Sequence, residues 1–317
     1  MPTVVIPGGS GLLGSAISKF LASKGYEVII LTRSTPKSRL DSNGSKIRFA
    51  QWDTVNQTIE SGVIENSDVI INLAGASVAE KRWTEKRKKE LIESRVNAGE
   101  TIVKALRETP NKVSVVINAS GIGWYEEDKE STKQSKGFVE TDPHASNFLG
   151  TTCQKWESSI APVKELGKRL IILRIGLALS KEGGALKEFL TPVKFGVAAI
   201  LGSGKQIYSW IHVDDLCEVM LWMIENKTLN GVYNAVSPFP VSNRNLMHEL
   251  AHEVKGSFYI PFYVPSFLLK MIFGELSVEV LKSTTVNNEK LSATGFVFQF
   301  PDLKIALNDL CKSPAKT

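Results

Sequence analysis

Three glycines at three-residue intervals, Gly8, Gly11 and Gly14, are the first residues in this chain whose spacing can do chemistry. They lie between a short apolar run, Thr3 to Ile6, and a stretch in which Leu12, Leu13, Ile17, Phe20 and Leu21 recur at helical spacing. Glycine here lets the backbone turn tightly and approach a pyrophosphate with no Cβ in the way. The helix that follows offers N–H groups without helical partners and the positive end of its dipole. The loop Gly8, Ser10, Gly11, Leu12, Leu13 and Gly14 is therefore read as a phosphate cradle for a dinucleotide. The plainer alternative is a tight strand-to-helix turn with no ligand.

The second strand, YEVIILTR, carries the next signal. An acid at its end would bond the ribose 2′-OH of NAD, whereas an arginine nearby accommodates the 2′-phosphate of NADP. The chain reads Leu31-Thr32-Arg33-Ser34 and has no acid until Asp41. Arg33 supplies a planar fork for phosphate, with Ser34, Lys37 and Arg39 close behind it. The expected cofactor is NADP(H).

A rival motif lies further on. His248-Glu249-Leu250-Ala251-His252 is H-E-x-x-H, which sets two imidazoles on one helix face as in zinc proteases. Leu246, Met247, Leu250, Ala251 and Val254 form an apolar stripe that turns the two histidines and Glu249 toward the other face. The expectation is no metal, with a zinc hydrolase as the remote alternative.

The elements that must position these residues alternate. KIRFAQW and DVIINLAG read as strands, Thr84 to Leu106 as a long charged helix, and VSVVINAS as another strand. Asn147 to Leu166 then reads as a helix and RLIILRIG as a strand. Alternating strands and helices predict an α/β fold with a doubly wound parallel sheet. After residue 176 glycine and proline become frequent, in EGGALKEFLTPVKFG, LGSGKQ and VSPFPVSN. The predicted organisation is a nucleotide-binding domain over 1–176 and a smaller substrate lobe over 177–317, packed on it without a flexible linker.

Composition excludes other classes. Of the 317 residues, 43% are apolar and 22% charged, an ordinary globular balance, and the formal charge is +5. Most basic residues are interleaved with acids, as in EKRWTEKRKKELIESR, so no nucleic-acid partner is predicted. The longest apolar run, Phe267 to Phe273, is interrupted by Lys270 and is too short to span a bilayer. A strand pattern beginning at Thr3 leaves no room for a leader peptide. Cys153, Cys217 and Cys311 are few and far apart, which points to reduced thiols. The expectation is a cytoplasmic protein without a membrane partner, monomer or homodimer, acting on a small molecule, anionic ones included.

Several motifs together resemble the extended short-chain dehydrogenase/reductases. They are Gly8-x-x-Gly11-x-x-Gly14, NLAG at 72–75, Ser120 at a strand end, and WIHVDD at 210–215. The likeness is closer to an atypical branch, the epimerase family proteins related to sugar-nucleotide epimerases. That likeness rests on Lys81-Arg82-Trp83-Thr84-Glu85-Lys86-Arg87-Lys88, Glu93-Ser94-Arg95-Val96, Gly202 to Gln206, Ser209 to His212, Asn234 to Pro240, and GFVFQFPDL near the end. The resemblance implies a Rossmann-type fold, NADP(H) binding with Leu73, Ala74 and Gly75 on the cofactor, and a catalytic Ser, Tyr and Lys. Ser120 stands at the serine position. The tyrosine position falls on Leu149 and the lysine position on Cys153. Ala198-Ala199 stands where the branch usually carries glycines.

Proton transfer must then come from elsewhere. Tyr125 follows Ser120 beyond a strand end, where ligands bind in open sheets; it is either a proton donor or a packing aromatic. Arg82 and Trp83 either contact substrate or begin an exposed helix. His212, before an Asp214 that reads as a helix N-cap, either bonds structurally or takes part in acid–base work. Lys205 and Gln206 lie in a glycine-rich loop able to close on substrate. Two readings of function stand side by side. One is an NADP(H)-dependent oxidoreductase or epimerase with an unusual proton donor, and the other a catalytically silent NADP(H)-binding sensor or scaffold.

Overall fold

A computed structural model describes residues 1–33, 46–129 and 136–312 of the chain. The first elements are β1 (Thr3–Pro7), α1 (Leu12–Ser23), β2 (Glu27–Thr32), β3 (Ile47–Asp53), β4 (Thr58–Ile59), β5 (Val69–Asn72), α2 (Glu85–Glu108), β6 (Val115–Gly121), α3 (Phe148–Ile160) and β7 (Arg169–Ile175). There follow β8 (Leu177–Leu179), α4 (Ala185–Lys194), β9 (Val197–Leu201), β10 (Ile207–Tyr208), β11 (Trp210–His212), α5 (Val213–Glu225), β12 (Gly231–Ala235) and β13 (Val241–Ser242). The last are α6 (Asn243–Lys255), β14 (Ile260–Val264), α7 (Ser266–Phe273), α8 (Leu276–Leu281), α9 (Glu289–Ser292) and α10 (Leu303–Cys311). No helix among the described residues is long and apolar enough to cross a membrane.

The chain forms two compact units. The first comprises residues 1–124, 144–174 and 217–233, and the second residues 125–143, 175–216 and 234–317. The sequence-based division at 176 is thus interleaved: residues 125–143 join the second unit and 217–233 return to the first.

The first unit is organised on an eight-stranded sheet, order β12-β7-β6-β5-β1-β2-β3-β4, the last residues of β7 and β12 already lying in the second unit. Pairs β1–β2, β1–β5, β2–β3 and β5–β6 are parallel, and the short β4 closes the edge antiparallel to β3. β1 and β5 are buried along their whole length, as strands covered on both faces require. The strand order reverses on the two sides of β1, so a crevice opens at the carboxyl ends of β1 and β5. Thr84 caps α2, accepting from the Arg87 N–H at 3.2 Å, and Asn147 caps α3, accepting from the Gly150 N–H at 2.8 Å. The core gathers Val5, Ile29, Ile70, Ile102, Val116 and Ile172.

The second unit is built of two-stranded sheets, β10–β13, β8–β11 and β9–β14, around a core that includes Leu186, Ile200, Trp210, Leu250 and Leu307. The apolar stripe predicted around the H-E-x-x-H segment is buried: Leu246, Met247, Leu250 and Ala251 face that core on α6.

Candidate nucleotide and substrate site

Gly8, Gly11 and Gly14 each answer a different steric demand. Gly8 sits at φ +80°, and a Cβ there would lie 2.6 Å from the carbonyl of Leu73, so this turn is closed to other residues. A Cβ on Gly14 would collide with the Gly8 carbonyl oxygen, which lets α1 press against the strand. At Gly11 a Cβ would meet only the Gly8 oxygen at 3.4 Å, so this glycine faces open space and leaves the backbone accessible. Gly11 is the N-cap of α1, and no side chain caps the helix or places an acid in its first turn. The exposed Ser10 and Gly11 with the half-buried Leu12 and Leu13 thus frame a helix N-terminus ready for an anion. The fit to a dinucleotide pyrophosphate is good on this geometry alone.

The neighbouring strand ends complete the crevice wall. Arg33 follows β2 and is exposed, and its charge reaches Glu90 on α2, whose carboxyl is held below its usual range chiefly by Arg87. Ser34, Lys37 and Arg39 lie outside the described residues. After β5, Ala74 is buried, while Leu73 is half-buried and Gly75 exposed. The loop is pinned from below. Ala76 N–H donates to Ser94 Oγ at 3.0 Å, Arg95 Nη2 donates to the Ala76 carbonyl at 3.1 Å, and Arg87 Nη2 to the Ser77 carbonyl at 2.6 Å. Gly75 packs so closely on Arg95 that a Cβ would lie 3.0 Å from its Cζ. Arg82 is exposed, whereas Trp83 is buried, donating Nε1–H to the Val78 carbonyl at 2.9 Å and meeting Phe148 edge-on.

Ser120, next to last in β6, stands inside a buried polar constellation. Its hydroxyl donates to Glu157 Oε1 at 2.7 Å. Arg174, 2% exposed, clamps the same carboxylate with both arms of its fork: Nε to Oε1 at 2.9 Å and Nη2 to Oε2 at 3.1 Å. The guanidinium rests on the face of Trp124 at 3.6 Å. A short polar ladder, Asn72 Nδ2 to Asn118 Oδ1 at 2.7 Å, crosses β5 to β6 alongside. On α3, Leu149 leans on Gly123, and Cys153 is buried with Sγ 3.7 Å from the Gly121 carbonyl. Burial pushes the Cys153 thiol up to about 11, with the Glu157 charge adding to it, so at neutral pH it is a neutral thiol. Lys155 is exposed on the opposite side of α3. Arg95 stacks on Trp156 at 4.9 Å.

The second unit holds the other nominated residues. Tyr125 is wholly buried; its hydroxyl donates to Asn234 Oδ1 at 2.6 Å and its ring stacks on Phe138. Buried Lys282 donates to the Tyr125 carbonyl at 2.6 Å and lies 3.5 Å from Glu279, whose carboxyl burial pushes upward. Lys205, exposed, and Gln206, buried, line a cavity of about 710 Å³ with Ser203, Ser266, Glu127 and Asp128. Asp128 already accepts from Ser283 Oγ, Thr285 N–H and Thr285 Oγ1.

His212 is fully buried and stacks on Phe300. Asp214 lies in the first turn of α5 rather than at its cap, and its N–H donates to His212 Nδ1 at 3.0 Å. The imidazole side chain therefore does the work expected of the aspartate. With Nδ1 accepting, the neutral ring carries its proton on Nε2, which faces Asp309 Oδ2 at 3.5 Å. His212, Asp214 and Asp309 converge as a metal site would, but that tautomer leaves no ring lone pair for an ion. In α6, His248 Nδ1 meets the Tyr259 hydroxyl at 3.0 Å, while Glu249 and His252 are exposed.

Glu157, Arg174 and Trp124 are the residues of this candidate site that the sequence does not single out. The available signal was charge in apolar company: an arginine inside RLIILRIG and a glutamate following Trp156 on a helix must find each other if both are buried.

The family model described as NAD dependent epimerase/dehydratase family matches residues 4–235, and a model described as a domain of unknown function (DUF1731) matches 264–310. The chain is 35% identical over 311 residues to Epimerase family protein SSP1921 of Staphylococcus saprophyticus, covering 98% of this chain and 99% of that one. The crystal structure of human epimerase family protein SDR39U1 (isoform2) with NADPH superposes with a TM-score of 0.84 at 26% identity, covering 97% of this chain and 98% of that one. A nucleoside-diphosphate sugar epimerase from Corynebacterium glutamicum superposes with a TM-score of 0.74 at 28% identity, covering 97% of this chain and 57% of that one.

Proposed function

We propose, for a chain that belongs to the NAD dependent epimerase/dehydratase family, that it binds NADP(H) on the Gly8–Gly14 loop and acts as an oxidoreductase or epimerase on a small polar molecule without a tyrosine–lysine relay. The observation that carries this reading is the open backbone at Gly11 on an uncapped helix N-terminus. Leu73, Ala74 and Gly75 form the opposite wall, and Arg33 meets the 2′-phosphate. The NADPH held by the human protein supports the phosphate-bearing cofactor, and three cysteines spaced far apart in the chain, Cys153, Cys217 and Cys311, support a reducing, cytoplasmic setting.

The bound cofactor supplies or accepts hydride. The protein's own part is to bind and orient. Ser120 gives its only proton to Glu157 and so offers a ligand the lone pairs of its oxygen. Arg174 fixes the carboxylate and thereby the serine rotamer. Leu149 has no titratable proton and Cys153 keeps its own, so neither performs the transfer that a tyrosine–lysine pair performs. The same two residues favour the second reading, a silent NADP(H)-binding sensor. Lys205 and Gln206 on the 710 Å³ cavity offer polar contacts for substrate.

The test is cofactor affinity. NADPH is expected to bind more tightly than NADH, and Arg33→Ala to weaken NADPH by roughly tenfold or more while leaving NADH unchanged, since a charge-assisted hydrogen bond contributes about 1.5–3 kcal/mol. Equal affinities of the unmodified protein for the two cofactors would sink the NADP assignment. Turnover of any hydroxyl or carbonyl substrate with NADP(H) separates the enzyme from the sensor.

A further inference from the structure

The buried stripe of α2 is not wholly apolar. Leu91, Ala98 and Ile102 run along it, and Arg87 and Arg95 flank Leu91 at four-residue spacing. A buried arginine ordinarily finds an opposite charge. Arg174 has Glu157, and Arg87 has Glu80 at 3.4 Å and Glu90 at 2.8 Å. Arg95, 9% exposed, has no carboxylate partner among the described residues. Burial pulls its guanidinium below the usual range, and the like charge of Arg87 adds to this. The one negative form that opposes them is the Cys153 thiolate, and that thiol, pushed up to about 11 chiefly by burial, keeps its proton. The charge on Arg95 is therefore uncompensated within the protein.

Its donors are also largely unused. A guanidinium carries five N–H groups. Arg95 gives one from Nη1 to the Leu91 carbonyl at 2.8 Å and one from Nη2 to the Ala76 carbonyl at 3.1 Å. The other three, that of Nε among them, meet no acceptor among the described residues. Arg87 Nε is sealed from solvent without a partner, and Arg95 Nε is not.

The place of these donors in the first unit points to a ligand. Arg95 lies against the wall that follows β5: a Cβ on Gly75 would come within 3.0 Å of its Cζ and 3.2 Å of its Nε. The guanidinium also lies over the Trp156 ring of α3, 4.9 Å from its centre. Cys153, on the same helix, reaches the Gly121 carbonyl at the end of β6. The sheet order runs β6-β5-β1-β2. A dinucleotide with its 2′-phosphate on Arg33 after β2 and its diphosphate on the Gly8–Gly14 loop after β1 carries its nicotinamide half onward over β5 and β6, where Arg95 stands.

We propose that Arg95 is a second cofactor-binding cation, which holds the nicotinamide-side ribose and phosphate oxygens of NADP(H) with the N–H groups it does not give to Leu91 and Ala76. The proposal rests on the cofactor reading above. The two cations divide the work. Arg33 meets the 2′-phosphate and so tells NADPH from NADH. Arg95 meets atoms that both cofactors share, so it contributes affinity without that discrimination. Oxygens brought to its free donors also offset the cost of burying a charge that the protein leaves unpaired.

The experiment titrates the full chain with NADPH, with NADH and with 2′,5′-ADP, the phosphorylated adenosine half alone. Arg95→Met keeps the apolar stem over Trp156 and removes every donor. It is expected to weaken NADPH and NADH by the same factor, roughly tenfold or more, and to leave 2′,5′-ADP within about twofold. Arg33→Ala should show the opposite pattern, weakening NADPH and 2′,5′-ADP and sparing NADH. Arg95→Lys, which keeps the charge, should fall between Arg95→Met and the unmodified protein. A crystal structure of the unmodified protein with NADPH needs no variant: an Arg95 N–H is expected within hydrogen-bonding distance of a nicotinamide-side ribose or phosphate oxygen. Unchanged dinucleotide affinity in Arg95→Met overturns the proposal. So does a loss for 2′,5′-ADP equal to that for NADPH, which would make Arg95 a brace for the Ala76 loop alone, or a bound NADPH whose oxygens all lie beyond its reach. Unmodified protein that binds no dinucleotide sinks this proposal and the cofactor reading together. Unmodified protein that binds NADPH, with Arg95→Met unaffected, sinks this proposal alone.

Discussion

Replacing Arg174 by Met tests the buried constellation behind Ser120. The substitution keeps the length and apolar stem of the side chain and removes its charge. It abolishes the 2.9 Å and 3.1 Å bonds to Glu157 and the guanidinium contact with Trp124, and it leaves the Glu157 carboxylate, 8% exposed, with the Ser120 hydroxyl as its remaining donor in this cluster. Breaking one side of a buried ion pair costs about 3–5 kcal/mol, and the lost contact with the Trp124 face adds about 1–2 kcal/mol. Part of that is recovered by the better burial of the thioether, so about 4 kcal/mol is expected. With a urea slope of about 3 kcal/mol/M for a chain of this size, the unfolding midpoint should fall by roughly 1.3 M. The companion Arg174→Met/Glu157→Leu removes both charges and should return to within about 1.5 kcal/mol of the unmodified protein. Equilibrium unfolding followed by tryptophan fluorescence reads both. A midpoint that moves by less than about 0.3 M in the single variant, or a double variant as unstable as the single one, refutes the claim that the pair is coupled in the folded state.

Three further outcomes follow from the same geometry. Cys153, buried and pushed up to about 11, should resist maleimide at pH 8 in the native protein and react within minutes once unfolded; rapid native labelling of Cys153 by mass spectrometry would contradict the burial. His212 is depressed below its usual 6.5, chiefly by burial, against the opposing charges of Asp214 and Asp309 and with Lys181 reinforcing it. The unfolded chain therefore takes up this proton first, so stability is retained above pH 6.5 and declines as the pH falls below it, and His212→Asn should flatten the fall in thermal midpoint between pH 6.5 and 5. Replacing both His248 and His252 with Gln should cost no more than about 1.5 kcal/mol, the value of the His248–Tyr259 bond, with no change in metal content; stoichiometric zinc lost in this variant would revive the hydrolase reading.

What could be read from the sequence was whatever local backbone chemistry dictates. The glycine loop was legible because a left-handed turn at Gly8 and a close approach at Gly14 admit no side chain, and such demands survive in any context. The strands β1, β2, β5, β6 and β7 were legible because strands covered on both faces must be apolar throughout. The stripe on α6 turned the H-E-x-x-H signal toward its plainer meaning, since burying Leu246 and Leu250 fixes where the histidines point. The short β4 escaped because two residues carry no periodicity. Asp214 was assigned the cap of α5 because aspartate is the commoner capping residue, and nothing local says that a buried imidazole two residues earlier takes the bond instead. The Glu157–Arg174 pair escaped for a different reason: each residue is unremarkable on its own helix or strand, and their meeting depends on how α3 lies against β7.

Arg169 has a consequence for how the molecule is made. It closes the last turn of α5 and the loop beyond by donating to the carbonyls of Met223, Ile224, Asn226 and Leu229. Those acceptors lie 54 to 60 residues downstream. The segment that pairs with the β7 edge and accepts from this guanidinium, residues 217–233, is therefore the last part of the first unit in chain order. A fragment ending near residue 176 would carry the whole nucleotide loop and still expose an apolar strand edge, so it should aggregate rather than bind cofactor. For this chain the cofactor domain is a unit of the folded protein and not of the message, and any dissection of it has to keep residues 217–233 attached.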